Sequence, residues 1–315
     1  MTIDPRAASH AGALPALLGD AIDYAGLFPP AQLDMAGAVA EYASYLTSPD
    51  RWALGRFVVP AARLPELAAE GESLAAGSRA SFGGSGTGWA LSVLLGTEVT
   101  GDVERVRAFA ASQAARPAKW TARVDALEAR ASSPDAIDVI AKAVGDSFTT
   151  FVEIPIGTDP EQLVRAIAAA GLRAKVRTGG TTTEAFPTTD QLVRFLASCV
   201  AAGVSFKATA GLHHPLRGEY RLTYAEGSPR GTMFGFLNVF LASAMLAAGE
   251  SRETATQLLD EREPGAVRFD EGGVTWRGHR LTREQLAHAR ATAITSFGSC
   301  SFREPIDDLD SLGMV

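Results

Sequence analysis

Cysteine and histidine are scarce in this chain and long apolar runs are missing, and each shortage removes a class of protein. The two cysteines, Cys199 and Cys300, are far apart and form neither a disulfide framework nor a Cys/His zinc spacing. Cys199 falls in an apolar helical pattern and reads as a buried small hydrophobe, while Cys300 has no base beside it in sequence to activate it. The greasiest stretch, 234–248, is interrupted by Gly235, Asn238 and Ser243 and is too short to cross a bilayer. The residues before Asp20 mix Pro, Asp and His with alanine and lack the basic-then-apolar order of a signal peptide. Basic residues number 29 against 36 acidic, a formal charge of −7, which argues against a nucleic-acid surface. These absences predict a soluble cytoplasmic protein whose partners include neither membrane nor nucleic acid.

What is present is a rhythm. A β-like run followed by a helical pattern recurs along the chain, with runs at 22–27, 56–60, 89–95, 120–126, 149–156, 174–178 and 204–210. Helix starts are marked by Asp34, by Ser133-Pro134 and by Asp159-Pro160-Glu161. A Gly/Ser-rich stretch at 81–88 reads as a flexible connection. Beyond 210, segment 211–233 has no periodicity and several Gly and Pro, the profile of an active-site loop. Helices are predicted at 234–248, 252–261 and 283–292, with a hairpin insertion at 264–281 and an eighth strand at 294–302. Hydrophobic residues make up 46% of 315, ample for one large core. The expected fold is α/β, a single (β/α)8 TIM-type barrel over 1–315 with an inserted β-hairpin near the C-terminus. A doubly wound open parallel sheet is the alternative.

Side-chain parity separates the two. In the fourth to seventh runs the charged residues Arg123, Asp125, Glu153, Lys175, Arg177 and Lys207 fall on one parity and aliphatic residues on the other. An open parallel sheet covered by helices on both faces would be apolar on both. A barrel gives the charged face a lumen, close to the rim where barrel enzymes place their chemistry. Four cations would then face two carboxylates, an excess suited to a carboxylate or phosphate ligand or to a lysine whose amine is kept neutral by its neighbours. A structural ion-pair network is the plainer reading of the same residues.

Candidate site residues follow from this convergence. Lys207 is the candidate amine nucleophile or electrophilic cation, and Glu153 a general acid/base. His213 and His214 are candidate proton shuttles; adjacent residues on an extended segment point apart, so one of them is expected to face the site. Arg177, Lys175, Arg123 and Thr209 are expected to contact substrate, and the glycine-rich turn with Gly179 and Gly180 to supply backbone amides for an anion. Asp23 and Tyr24 are weaker candidates at the mouth, and Arg217, Tyr220, Arg221, Tyr224 and Arg230 are candidate lid residues. His10, His279 and His288 read as surface residues.

The run Lys207-Ala208-Thr209-Ala210-Gly211 resembles the Schiff-base strand of class I aldolases of the deoxyribose-phosphate type. The likeness covers this Lys-x-Thr-x-Gly run alone and implies an amine attack on a carbonyl. Three functions stay open. The first is a lyase, aldolase or isomerase acting on a small anionic, carbonyl-containing metabolite, with no cofactor required. The second is a divalent-metal enzyme with Glu153, His213 and His214 as ligands. The third is a barrel without catalysis that binds a metabolite or assembles with copies of itself, and a homo-oligomer fits any of the three.

Overall fold

The computed structural model describes residues 12–77, 88–115 and 119–315, so His10 and all but the last residue of the 81–88 stretch lie outside the described residues. Seven parallel strands come first: β1 (Ile22–Tyr24), β2 (Leu54–Pro60), β3 (Trp89–Leu94), β4 (Ala122–Arg130), β5 (Thr149–Glu153), β6 (Arg173–Arg177) and β7 (Phe206–Thr209). A hairpin of β8 (Gly218–Arg221) and β9 (Arg230–Met233) follows, then an antiparallel sheet of β10 (Val267–Asp270), β11 (Gly273–Trp276) and β12 (His279–Thr282), then β13 (Ile294–Ser299). Pairing of β13 with both β7 and β1 closes an all-parallel barrel of eight strands. The fold is the (β/α)8 barrel, and an open sheet is excluded by that closure.

Helices cover the outside. They are α1 (Ala13–Leu18), α2 (Met35–Leu46), α3 (Leu64–Gly77), α4 (Val99–Ala114), α5 (Pro134–Val144), α6 (Glu161–Ala169), α7 (Thr189–Ala201), α8 (Phe236–Ala247), α9 (Arg252–Leu259), α10 (Arg283–Thr292) and α11 (Arg303–Ser311). The expected caps are in place: Asp34 accepts from Gly37 N, and Ser133 accepts from Ala136 N ahead of Pro134. Asp159 likewise accepts from Glu161 N at 3.0 Å. Apolar residues of the outward parity, Val152, Ala174, Val176, Phe206 and Ala208, are buried against this helical layer. No helix among the described residues is long and apolar enough to cross a membrane.

Three sequence expectations need correction. The expected hairpin at 264–281 is a three-stranded sheet, because the chain turns twice, through Asp270–Gly273 and Trp276–His279. The loop 211–233 carries its own hairpin, β8–β9. The fourth strand runs past its predicted end to Arg130, and its pairing with β3 slips between Leu91 and Ser92, which oppose Val124 and Ala126. Asp125 is the extra residue of that bulge. A bulge inverts the parity of everything after it. Glu128 and Arg130, of the opposite parity to Arg123 and Asp125, therefore join the polar face above the bulge.

Candidate active site

The barrel lumen holds a chain of buried charges. Lys207 Nζ lies 2.6 Å from Asp23 Oδ2 and 2.6 Å from Glu128 Oε1, and Glu128 Oε2 lies 2.6 Å from Lys175 Nζ. Side-chain exposures of 1% for Lys207, 3% for Glu128 and 4% for Lys175 put this chain out of water. Asp23 also accepts from Ser296 Oγ at 2.8 Å and from the Arg56 backbone N–H at 2.8 Å, and Glu128 accepts from Ser92 Oγ at 2.5 Å. Glycine at 55 makes the Asp23 position possible, since a Cβ there would lie 2.5 Å from Asp23 Oδ1.

This arrangement overturns the expectation of a neutral Lys207. Lys175 is its register partner on β6, but Glu128 reaches from β4 and puts one oxygen on each ammonium. Burial disfavours the charge on Lys207, yet Asp23 and Glu128 outweigh it and its pKa rises. The same balance works on Glu128, where burial opposes ionisation but Lys175 and Lys207 hold the carboxyl far below the ordinary range. Lys207 is an ammonium wedged between carboxylates, with its Nζ also 5.6 Å from the centre of the Phe151 ring.

At the C-terminal end of the strands the chain continues to Glu153. Lys175 Nζ stands 2.9 Å from Glu153 Oε2, an ion-pair contact, and Oε2 has no well-aligned hydrogen bond among the described residues. Arg177 Nε and Arg130 Nε approach the other oxygen at 3.1 and 3.4 Å. Burial opposes the charge of Glu153, and these cations nonetheless lower its pKa. Arg123 belongs to the opposite end, contrary to the converging set read from sequence. It pairs with Asp125 at 3.2 Å, which also holds Arg56 at 2.7 Å, and all three line a cavity of about 600 Å³ at the N-terminal mouth.

The histidines sit over a different sector of the C-terminal face. His213 Nδ1 lies 2.9 Å from Glu304 Oε2 and His214 Nδ1 lies 2.6 Å from Asp308 Oδ2, both partners one turn apart on α11. An ionised carboxylate only accepts, so each Nδ1 carries the hydrogen. His213 Nε2 then has no partner among the described residues. Tyr224 OH donates to Glu304 Oε2 at 3.1 Å and lies 3.5 Å from Cys300 Sγ. Burial, then Cys300 and Glu304, push the Tyr224 phenol up, and burial pushes the Cys300 thiol up. Burial works against the Glu304 charge, but His213, His214 and Tyr224 hold its carboxyl down. Both histidines line one cavity of about 30 Å³ with Pro29, Pro30, Gly180, Gly211, Arg221, Tyr224 and Glu304, so the expectation that one would point away is corrected. The histidines lie outside any strand, and the chain reaches them through a left-handed turn in which Ala210 and Gly211 have φ of 62° and 74°. A Cβ on Gly211 would lie 2.9 Å from the Cα of Gly179, so Gly179 is buried where two loops cross, and Gly180 alone of that pair reaches the cavity.

Other candidates fall into place around these two clusters. Thr209 ends β7 beside Arg177, and its carbonyl accepts from Thr178 N at 2.9 Å. Tyr24 turns away from the lumen and donates to Glu41 at 2.6 Å. Of the lid residues, Tyr220 stacks on His214 at 3.5 Å between ring centres and Arg221 and Tyr224 line the cavity, while Arg217 lies 3.5 Å from Asp260 and Arg230 bonds within its own hairpin. His279 lies 3.5 Å from Glu250, and His288 is exposed on α10. Among the described residues no group of three or more His, Cys, Asp and Glu is arranged to hold a metal ion, and the acidic neighbours of the histidines are Glu304 and Asp308. Sequence reasoning missed Glu128, Arg130, Glu304 and Asp308. The alternation of Ala126-Leu127-Glu128-Ala129-Arg130 and the Glu304/Asp308 spacing of four were the available signals. Compared with known proteins, the chain matches no protein-family model and no curated protein.

Proposed function

We propose that the chain is a barrel enzyme of the lyase, aldolase or isomerase type that moves a proton on a small anionic, carbonyl-containing metabolite. The observation that carries this reading is the His213–Glu304 pair beside a cavity at the C-terminal mouth. Glu304 fixes His213 with hydrogen on Nδ1, which leaves the Nε2 lone pair as a general base. In the reaction, Nε2 takes a proton from the carbon next to a substrate carbonyl, and the electron pair passes to the carbonyl oxygen. When the α-carbon carries a hydroxyl, passing the hydroxyl proton to the carbonyl oxygen and returning the carbon-bound proton to the former carbonyl carbon isomerises the substrate. Re-forming the carbonyl, with a conjugated double bond made as a β-substituent departs with its bonding pair, is the lyase outcome.

The cavity, about 30 Å³, has room for little more than a water or two, so substrate enters by lifting the β8–β9 hairpin that brings Arg221 and Tyr224 over it. Lys207 contributes positive charge beneath the site and not a free amine. The test is exchange of carbon-bound hydrogen in deuterated water, followed by proton NMR, across a panel of small hydroxy and oxo acids. Exchange by the wild type that is lost in His213→Asn, with no mass added to Lys207 by borohydride, is the expected result. Full exchange in His213→Asn, or covalent capture at Lys207, would remove this mechanism.

A further inference from the structure

A second cavity opens on the same face, over β4, β5 and β6, with a volume of about 380 Å³. Its walls are Ser132, the apolar run Ile154, Pro155 and Ile156, and three charged residues, Arg130, Glu153 and Arg177. The charges there do not cancel. Glu153 faces Lys175, Arg177 and Arg130, and Lys175 is shared with Glu128. Arg177 Nε donates to Glu153 at 3.1 Å and Arg130 Nε lies at an ion-pair distance of 3.4 Å, and among the described residues the terminal nitrogens of neither guanidinium make a hydrogen bond. Both side chains line the cavity and are open to solvent, 70% exposed for Arg130 and 40% for Arg177.

The arrangement is a clamp with its backing already installed. Glu153 hydrogen-bonds the Arg177 guanidinium by one edge and draws Arg130 to ion-pair distance, and a planar fork presented that way meets an oxyanion with directed, charge-assisted bonds. A buried carboxylate also keeps the two cations from repelling each other apart before ligand arrives. The apolar run in the same lining suits a short carbon body attached to the charged head.

We infer that this cleft is an oxyanion-recognition subsite in which Arg130 and Arg177 together grip a terminal phosphate or carboxylate, Arg130 being the specificity residue that the strand pattern concealed. The inference deepens the proposed function and rests on it only in assigning the gripped group to the substrate; the clamp itself stands on the cleft.

Calorimetric titration of the full chain with inorganic phosphate, and separately with malonate, at fixed ionic strength tests it without any turnover. Saturable binding is expected for at least one anion, weakened roughly tenfold or more by Arg130→Gln and by Arg177→Gln, and unchanged by Arg63→Gln, a control on a surface arginine paired with Glu66 at 2.7 Å. Tighter phosphate assigns a phosphate ester, and tighter malonate a carboxylate. Arg130→Lys separates a fork from a point charge: it retains charge and should still lose most of the affinity. No saturable binding of either anion, or binding unchanged in both glutamine variants, overturns the clamp, provided that the variants melt as the wild type does. Anion binding through these arginines without proton exchange would spare the clamp and sink the proton-transfer reading, and exchange without anion binding would do the reverse.

Discussion

Two sets of charged side chains share this barrel and are built on opposite plans. In the lumen, Asp23, Lys207, Glu128 and Lys175 alternate in sign, each touching its neighbours at 2.6 Å with every side chain buried. At the mouth, His213 is tied by one nitrogen to Glu304, and Tyr224, 54% exposed, closes over the pair from a hairpin. Burial with complete pairing locks a charge, because neither proton loss nor movement is possible without leaving a bare ion in a dry place. A group tied at one end and free at the other is poised to act. On the proposed function the lumen is the frame and the mouth is the reacting part.

The sharpest way to break this comparison is Glu128→Ala. It leaves Lys175 and Lys207 without the carboxylate they share, and removing one partner of a buried ion pair costs about 3–5 kcal/mol. Urea unfolding followed by circular dichroism checks this; a loss below about 1 kcal/mol would show that water or rearrangement replaces Glu128 and that the lumen is not the frame.

Acid should act on the same groups. The carboxyls of Glu128 and Glu153 have lowered pKa values, so their contribution is complete above about pH 4.3 and is lost as pH falls through the folded-state values. Lys207 has a raised pKa, so its contribution is complete below about pH 10.4 and is lost only as pH rises through its folded value. The stability difference between wild type and Glu128→Gln should be level from about pH 5 to about pH 10 and shrink toward acid. A maximum within that window would mean that some other group governs the lumen.

Changes at the mouth should move chemistry and leave stability nearly alone. Glu304→Gln keeps the shape but no longer dictates which nitrogen of His213 carries hydrogen, and a misassigned general base costs on the order of 10² to 10⁴ in rate. Unfolding free energy should change by about 1 kcal/mol or less, since Glu304 is only part-buried. Equal losses of stability in Glu304→Gln and Glu128→Ala would erase the distinction between the regions.

Much of this frame was legible in the sequence, and its failures have local causes. The caps at Asp34 and Ser133 and the parity of β5, β6 and β7 are properties of neighbouring residues, and periodicity finds them. The bulge at Asp125 is set by pairing with β3, more than thirty residues earlier in the chain, which hides Glu128 from a reading of β4 alone, and the extension of β4 to Arg130 puts Arg123 at the N-terminal end. The protonation of Lys207 depends on a carboxylate reaching across the lumen from β4. Glu304 and Asp308 meet the histidines from a terminal helix after β13, a proximity created by barrel closure and by nothing in either segment alone.

The smallest expected effect sharpens the comparison most finely. Tyr224→Phe removes one hydroxyl, which donates to Glu304 Oε2 at 3.1 Å and touches Cys300 Sγ at 3.5 Å. One net hydrogen bond is worth about 1 kcal/mol, so a purely steadying role for Tyr224 predicts a rate loss of roughly fivefold with the same pH profile as the wild type. A role as proton donor predicts a larger loss that is confined to the step in which the proton returns. Comparing uptake of deuterium into recovered substrate with its uptake into product separates the two, because wash-in to substrate needs only His213 to remove and return the proton, whereas product formation needs the second donor. Equal loss in both makes Tyr224 a clasp on the hairpin; loss in product alone makes it part of the chemistry, and the hairpin becomes a moving half of the active site.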